Sequence, residues 1–182
     1  MSTTSLPPNF LYTLDFFRFG LLLSVVTQQE ISVWADTQLL ANHYWHQDAP
    51  LADLSLCQQS SRKELAAWIS TIIGQEKTIT GSRLLLGRLY QLQDLSTITP
   101  KLGLFIPIMY LSHQEEELVE EIQFNCNFDN HFYPMTNAEK QVVQKNALDF
   151  LGCYQAYQLA QLEQLPMLDK NLELALEQLK TW

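Results

Sequence analysis

Apolar positions recur along this chain every three or four residues, the spacing that brings side chains onto one face of an α-helix. Phe10, Leu14, Phe17 and Leu21 fall at i, i+4, i+7 and i+11, which predicts a first helix near Asn9 to Leu22. Phe16, Phe19 and Leu22 occupy its other sides, so this helix is expected to be apolar nearly all round and central to the core. A second helix is predicted from Gln28 to His43 or Tyr44. It carries Ile31, Trp34, Ala35, Leu39 and Ala41 or Asn42 on the inner face and Gln28, Gln29, Asp36 and Gln38 largely outside.

Four capping boxes punctuate the pattern: Thr27 with Glu30, Ser61 with Glu64, Ser112 with Glu115, and Thr136 with Glu139. In each, the hydroxyl accepts from the N–H three residues on while the glutamate reaches back to the cap's own N–H. Each stands before an amphipathic run, and Val26 and Ile31 add a hydrophobic staple around Thr27.

Further along, Pro50 at a first helical position predicts a short helix through Cys57. The Ser61 helix should bury Leu65, Trp68, Ile69 and Ile72 and stop at Gly74, and another should cover Ser82 to Asp94 with Leu85, Leu89 and Leu92 inside. Thr99-Pro100 reads as a cap and first helical position, with Pro107 kinking that helix or ending its regular ladder. The Ser112 helix should reach Phe124 and give way to the loop "NCNFDNHFYPM". Two last helices are predicted at Asn137 to Leu162 and Met167 to Lys180, separated by Pro166. No segment has the period-two alternation and turn chemistry of paired strands. The expectation is an all-α bundle or short helical stack of eight or nine helices, one domain over 1–182, with a flexible tail at 1–8.

Composition agrees with that picture. A hydrophobic fraction of 47% and a charged fraction of 17% are globular values, and 182 residues suffice to bury roughly 70% of the unfolded chain's surface. The apolar run "FFRFGLLLSVV" is too short to span a bilayer and contains Arg18. Cys57, Cys126 and Cys153 are odd in number and scattered, which points to reduced thiols and a cytoplasmic location.

Charge narrows the partners. The net charge is −9; residues 1–100 hold 8 acidic and 6 basic side chains (−2), and 101–182 hold 12 and 5 (−7). Such a surface repels nucleic acid and anionic membranes and attracts basic proteins.

Candidate chemistry is sparse. His43 and His46, with Asp48 close by, suggest a metal site, but histidine also suits the C-terminal end of a helix dipole, and that reading fits the spacing better. No metal or other cofactor is expected. Glu115, Glu116, Glu117, Glu120 and Glu121 lack the Glu-x-x-His elements of a di-metal centre. With Glu115 used by its cap, the other four face away from Leu111, Leu118 and Ile122. They form a solvated face and the candidate surface for a cation-rich partner. The loop residues Phe128, His131, Phe132 and Tyr133 are the next candidates. They either plug the core or mark an interface. Asn127 and Asp129 lack the glycine and the twelfth-position glutamate of a calcium loop. No nucleophile elbow or phosphate loop occurs, so no catalytic residue is assigned.

Between Phe17 and Cys57, "FRFGLLL", "EISVWADTQL" and "DLSLC" resemble uncharacterised small helical bacterial proteins, some of them grouped with immunity proteins of toxin systems. The resemblance implies an all-α fold and, in some cases, neutralisation of a toxin by direct binding, and it carries no functional residue across. The expected function is a non-enzymatic protein-binding module, with immunity its sharpest version. The alternatives are a helical scaffold or regulatory subunit, self-associating through the first helix or the C-terminal pair, and an enzyme with an atypical pocket.

Overall fold

The computed structural model describes residues 8–41, 49–74, 78–111, 120, 122 and 136–179. Those residues form eight α-helices and two short 3-10 turns, with no strand. The helices are α1 Pro8–Leu22, α2 Gln28–Ala41, α3 Ala49–Ser55, α4 Arg62–Ile73, α5 Ile79–Gln91, α6 Leu95–Leu111, α7 Asn137–Gly152 and α8 Leu165–Leu179. The chain divides into two compact units, Met1–Gly81 and Ser82–Trp182, with the division falling inside α5. No described helix is long and apolar enough to cross a membrane.

In the first unit α1 packs along α4, and α2 against α3 and the turn Cys57–Gln59. Leu14, Phe16, Phe17, Phe19 and Leu21 are all buried, so α1 is the core helix its composition predicted, with Leu22 alone of that group facing solvent. Trp34 of α2 is half-buried between Phe10 and Phe17, with ring centroids 5.3 and 5.2 Å away. Ile31 and Ala35 are fully buried as the pattern demands, but Ala41 is exposed and the unforeseen inner residue is Ser32. The face of α4 is shifted likewise: Leu65, Ala66, Ile69 and Ile73 are buried, while Trp68 and Ile72 are half-buried.

In the second unit α6 packs on α7, and α7 on α8. The buried faces keep helical spacing: Ile98, Leu102 and Phe105 on α6; Val143, Ala147, Phe150 and Leu151 on α7; Leu168 and Leu172 on α8. Leu84, Leu85, Leu86 and Leu89 of α5 are buried, and Leu92 is half-buried.

The capping boxes at Thr27, Ser61 and Thr136 all form; Ser112 lies outside the described residues. Thr136 N donates to Glu139 Oε2 at 2.7 Å and Glu139 N to Thr136 Oγ1 at 3.3 Å. The Ser61 pair shows the same reciprocity at 3.2 and 3.3 Å, and the Thr27 pair at 2.8 and 3.2 Å. Glu64 and Glu139, holding these bonds, keep carboxyls below their usual range.

Four boundaries differ from the sequence expectation. Thr78 accepts from Thr80 N, so α5 starts at Ile79, three residues before Ser82. Asp94 caps α6: its carbonyl accepts from the amides of Thr97 and Ile98, its carboxylate from the Thr97 hydroxyl. Pro100 therefore lies inside α6, and the helix continues past Pro107 to Leu111. The helix expected to run through Leu162 stops at Gly152, and a 3-10 turn follows at Leu159–Gln164. Pro166 does not separate two helices; it sits in the first turn of α8, where its missing N–H costs nothing.

Candidate functional site

Ionisable side chains are the natural place to look for chemistry, and three polar clusters hold most of those that are buried. On α1, Asp15 is fully buried and its Oδ1 accepts from Arg18 Nη2 at 2.5 Å, one turn along the helix. The Arg18 guanidinium lies 4.4 Å from the centroid of the Phe19 ring. Asp15 Oδ2 accepts no hydrogen bond, and the backbone at Gly81, in the first turn of α5, lies close against it. A Cβ added to Gly81 would come within 2.7 Å of that oxygen, so only glycine allows this approach. Burial pushes the Asp15 carboxyl up to about 6, against the downward pull of Arg18. A carboxyl in that range suits proton transfer, but this one is sealed between its own helix and the α5 backbone. Its part is structural.

In the second unit, Arg83 of α5 donates through Nη1 to Asp169 Oδ1 of α8 at 2.8 Å, and the Tyr157 hydroxyl donates to the same oxygen at 2.6 Å. Burial first, then the Asp169 hydrogen bond, raise the Tyr157 hydroxyl well above the usual phenol range, and Arg83 partly offsets them. Tyr157 therefore stays a neutral donor. Its ring belongs to an aromatic ladder with Tyr154 and Phe150, centroids 6.0 and 5.2 Å apart in succession. Gly87 lets the chain pass here, since a Cβ at that position would overlap the carbonyl oxygens of Tyr154 and Tyr157. The cluster ties α5, the Tyr154–Tyr157 turn and α8 together.

The third cluster lies along α2. Ser32 Oγ donates to the Ser55 carbonyl at 2.6 Å and accepts from Gln58 Nε2 at 3.1 Å. Ser55 Oγ donates to Asp36 Oδ1. Cys57 Sγ contacts the Gln28 carbonyl at 3.6 Å, and Gln28 Nε2 donates to the Ser60 carbonyl at 3.0 Å. Burial pushes the Cys57 thiol up, which keeps it protonated and unreactive. These bonds satisfy a buried serine that the apolar pattern could not foresee, and they fasten residues 55–60 along the flank of α2.

Of the residues singled out from sequence, Glu116, Glu117, Glu121, Phe128, His131, Phe132 and Tyr133 lie outside the described residues, as do His43, His46, Asp48 and Cys126. Glu120 is helical and exposed, and Ile122 two positions on is helical and fully buried. These two described positions fall on the sides expected of them. Cys57 and Cys153 are both thiols. Among the described residues no three His, Cys, Asp or Glu side chains come together as a metal site would require.

No protein-family model matches the chain, and no curated protein or solved structure matches it significantly.

Proposed function

We propose that this chain is a non-enzymatic protein-binding module that takes a basic partner on an acidic surface, with immunity to a toxin as its sharpest form. The observation that carries the reading is the charge excess: −9 overall, −7 of it after residue 100. Glu120 supports it, being exposed where Ile122, two positions on, is buried. The buried ionic groups add a second support. Asp15 is committed to Arg18 within α1, and Tyr157 to Asp169 of α8. A toxin acting on nucleic acid is itself basic, so an acidic surface both attracts and occludes it.

The test is association of the chain with a basic toxin encoded beside it, measured against ionic strength, together with survival of cells that express both. Reversing Glu116, Glu117, Glu120 and Glu121 to lysine should slow association sharply at low salt, in parallel with the effect of added salt on the wild type. Equal rates at low salt would move the interface elsewhere, with Phe128 to Tyr133 next in line. Absence of both binding and rescue would overturn the reading.

A helical scaffold is the second reading, favoured by one observation. Met167 and Leu174, one heptad apart on α8, are both about half exposed on the side away from Leu168 and Leu172. A concentration-dependent dimer in sedimentation, abolished by M167S/L174S, would support it.

A further inference from the structure

We propose that the outer face of α2, together with Leu56, is a docking platform for a cationic amphipathic helix of a partner protein. The platform rests on the protein-binding reading and adds a surface, in the first unit, distinct from the acidic helix after Ser112. Val33, Leu40 and Leu56 are 52%, 70% and 79% exposed, three large apolar side chains left in water within a single α2–α3 hairpin. Val33 and Leu40 are seven residues apart, so they share one side of α2, about 10 Å apart along its axis. Asp36 lies between them on the same side, and its carboxylate accepts from the hydroxyl of Ser55, the residue immediately before Leu56. The bonds from Gln58 to Ser32 and from Cys57 to the Gln28 carbonyl then direct the chain back along α2. Leu56 thus lies in the segment fastened along the flank of α2, between the bonds of Ser55 and those of Cys57.

Charge identifies the occupant. From Phe19 to Ser61 the chain contains no lysine or arginine, and it carries Glu30, Asp36, Asp48 and Asp53. Asp36 is exposed between Val33 and Leu40, and Asp53 is exposed on α3. Apolar anchors with Asp36 between them and Asp53 exposed on the neighbouring helix, and with no lysine or arginine on α2 or α3, complement a helix whose leucine-type side chains repeat at i, i+3, i+4 and i+7 and whose flanks carry lysine or arginine. The same face of a second copy lacks that complement, because it is itself acidic. The hydrogen bonds that fasten residues 55–60 also hold the platform in shape before binding, which lowers the cost of ordering it.

The probe is a synthetic amphipathic helix of about four turns with leucines at those spacings and lysine flanks. A control of the same leucine pattern has glutamate for lysine. Binding is read by fluorescence anisotropy and mapped by amide chemical shifts on the full-length labelled chain. The lysine peptide should perturb Val33, Asp36, Leu40 and Leu56, the glutamate peptide should not, and V33S/L40S/L56S should weaken binding about tenfold or more. Thermal unfolding followed by circular dichroism checks that the triple variant folds. If it does not, L56S alone, at the most exposed of the three sites, should still weaken binding measurably. Shifts that map away from α2, equal binding by the variant, or no binding by the wild type would each overturn the platform. A self-associated chain whose dimer is broken by L56S would also overturn it, by assigning the face to a second copy. Loss of the platform by any of these routes leaves the four-glutamate experiment as a separate test of protein binding.

Discussion

Asp15 meets Arg18 one turn along a single helix, whereas Asp169 meets Arg83 across 86 positions of sequence. The local pair is sealed: Asp15 is fully buried, one of its oxygens bonded and the other pressed against the α5 backbone. The distant pair keeps water within reach, with Arg83 at 22% and Asp169 at 44% side-chain exposure, and Tyr157 joins it as a second donor. The two differ in what they do for the fold. A carboxylate stripped of water and given one partner is a net cost that its arginine limits, whereas a half-solvated carboxylate with two donors joins separate elements at little desolvation cost. Proximity in sequence does not make the better ion pair.

Removing Arg18 should have the largest effect. Arg18→Met leaves Asp15 buried without its cation, and a loss of about 3–5 kcal/mol is expected at pH 8, measured by urea unfolding. At pH 5 the loss should shrink, because the orphaned carboxyl protonates. An equal loss at both values would mean that Asp15 is not charged in the folded protein.

Next in size is the pH dependence of the native pair. The folded Asp15 carboxyl titrates at about 6 against 3.8 for the free group. The folded state therefore binds the extra proton between these values, and stability from this group is full below about 3.8 and lost as pH rises through 6. The difference corresponds to about 3 kcal/mol. Asp15→Asn should remove this component from the stability-pH curve while leaving the contribution of the surface carboxylates. Parallel curves for variant and wild type would refute the assignment.

The distant cluster should respond more mildly. Tyr157→Phe keeps the aromatic ladder and deletes the donor to Asp169, at a cost of about 1.5 kcal/mol. It should add no pH dependence between 4 and 7, in contrast to the Asp15 variant. A larger, pH-dependent loss would show that Tyr157, rather than Arg83, is the main support of Asp169.

The smallest effect is common to both units. Ser61→Ala and Thr136→Ala each remove one capping box, and each should cost about 1 kcal/mol in thermal or urea unfolding. A twofold disparity between them would show that tertiary contacts, and not the caps, hold one of the helix starts.

The helix starts at Thr27, Ser61 and Thr136 were legible because a capping box is completed by residues three apart, and its geometry needs no distant partner. The burial of Leu14, Phe17, Ile31 and Ile69 was legible for a similar reason: period and hydrophobicity coincide there. The ends of α5 and α7 were not. Thr78 extends α5 through a single hydroxyl, and α7 stops at Gly152 where the chain turns to lay Tyr154 and Tyr157 against Gly87. The exposure of Glu120 and the burial of Ile122 follow from the amphipathic period. The α2 platform escaped the sequence reading, although its charge signal was present in the absence of lysine and arginine from Phe19 to Ser61. What was missing was the bond from Ser55 to Asp36 that sets Leu56 beside α2.

By itself the sequence determined that this chain is helical, where three of its helices begin, which stripes are apolar, and that its surface is acidic. These depend on side chains within one or two turns of each other, or on a sum of charges. Tertiary structure decided which carboxylates are desolvated and which are shared, why Gly81 and Gly87 are glycines, and which apolar side chains stay in water. Each of those is set by groups brought together from distant positions, where desolvation and the close approach of backbones have no counterpart in local pattern.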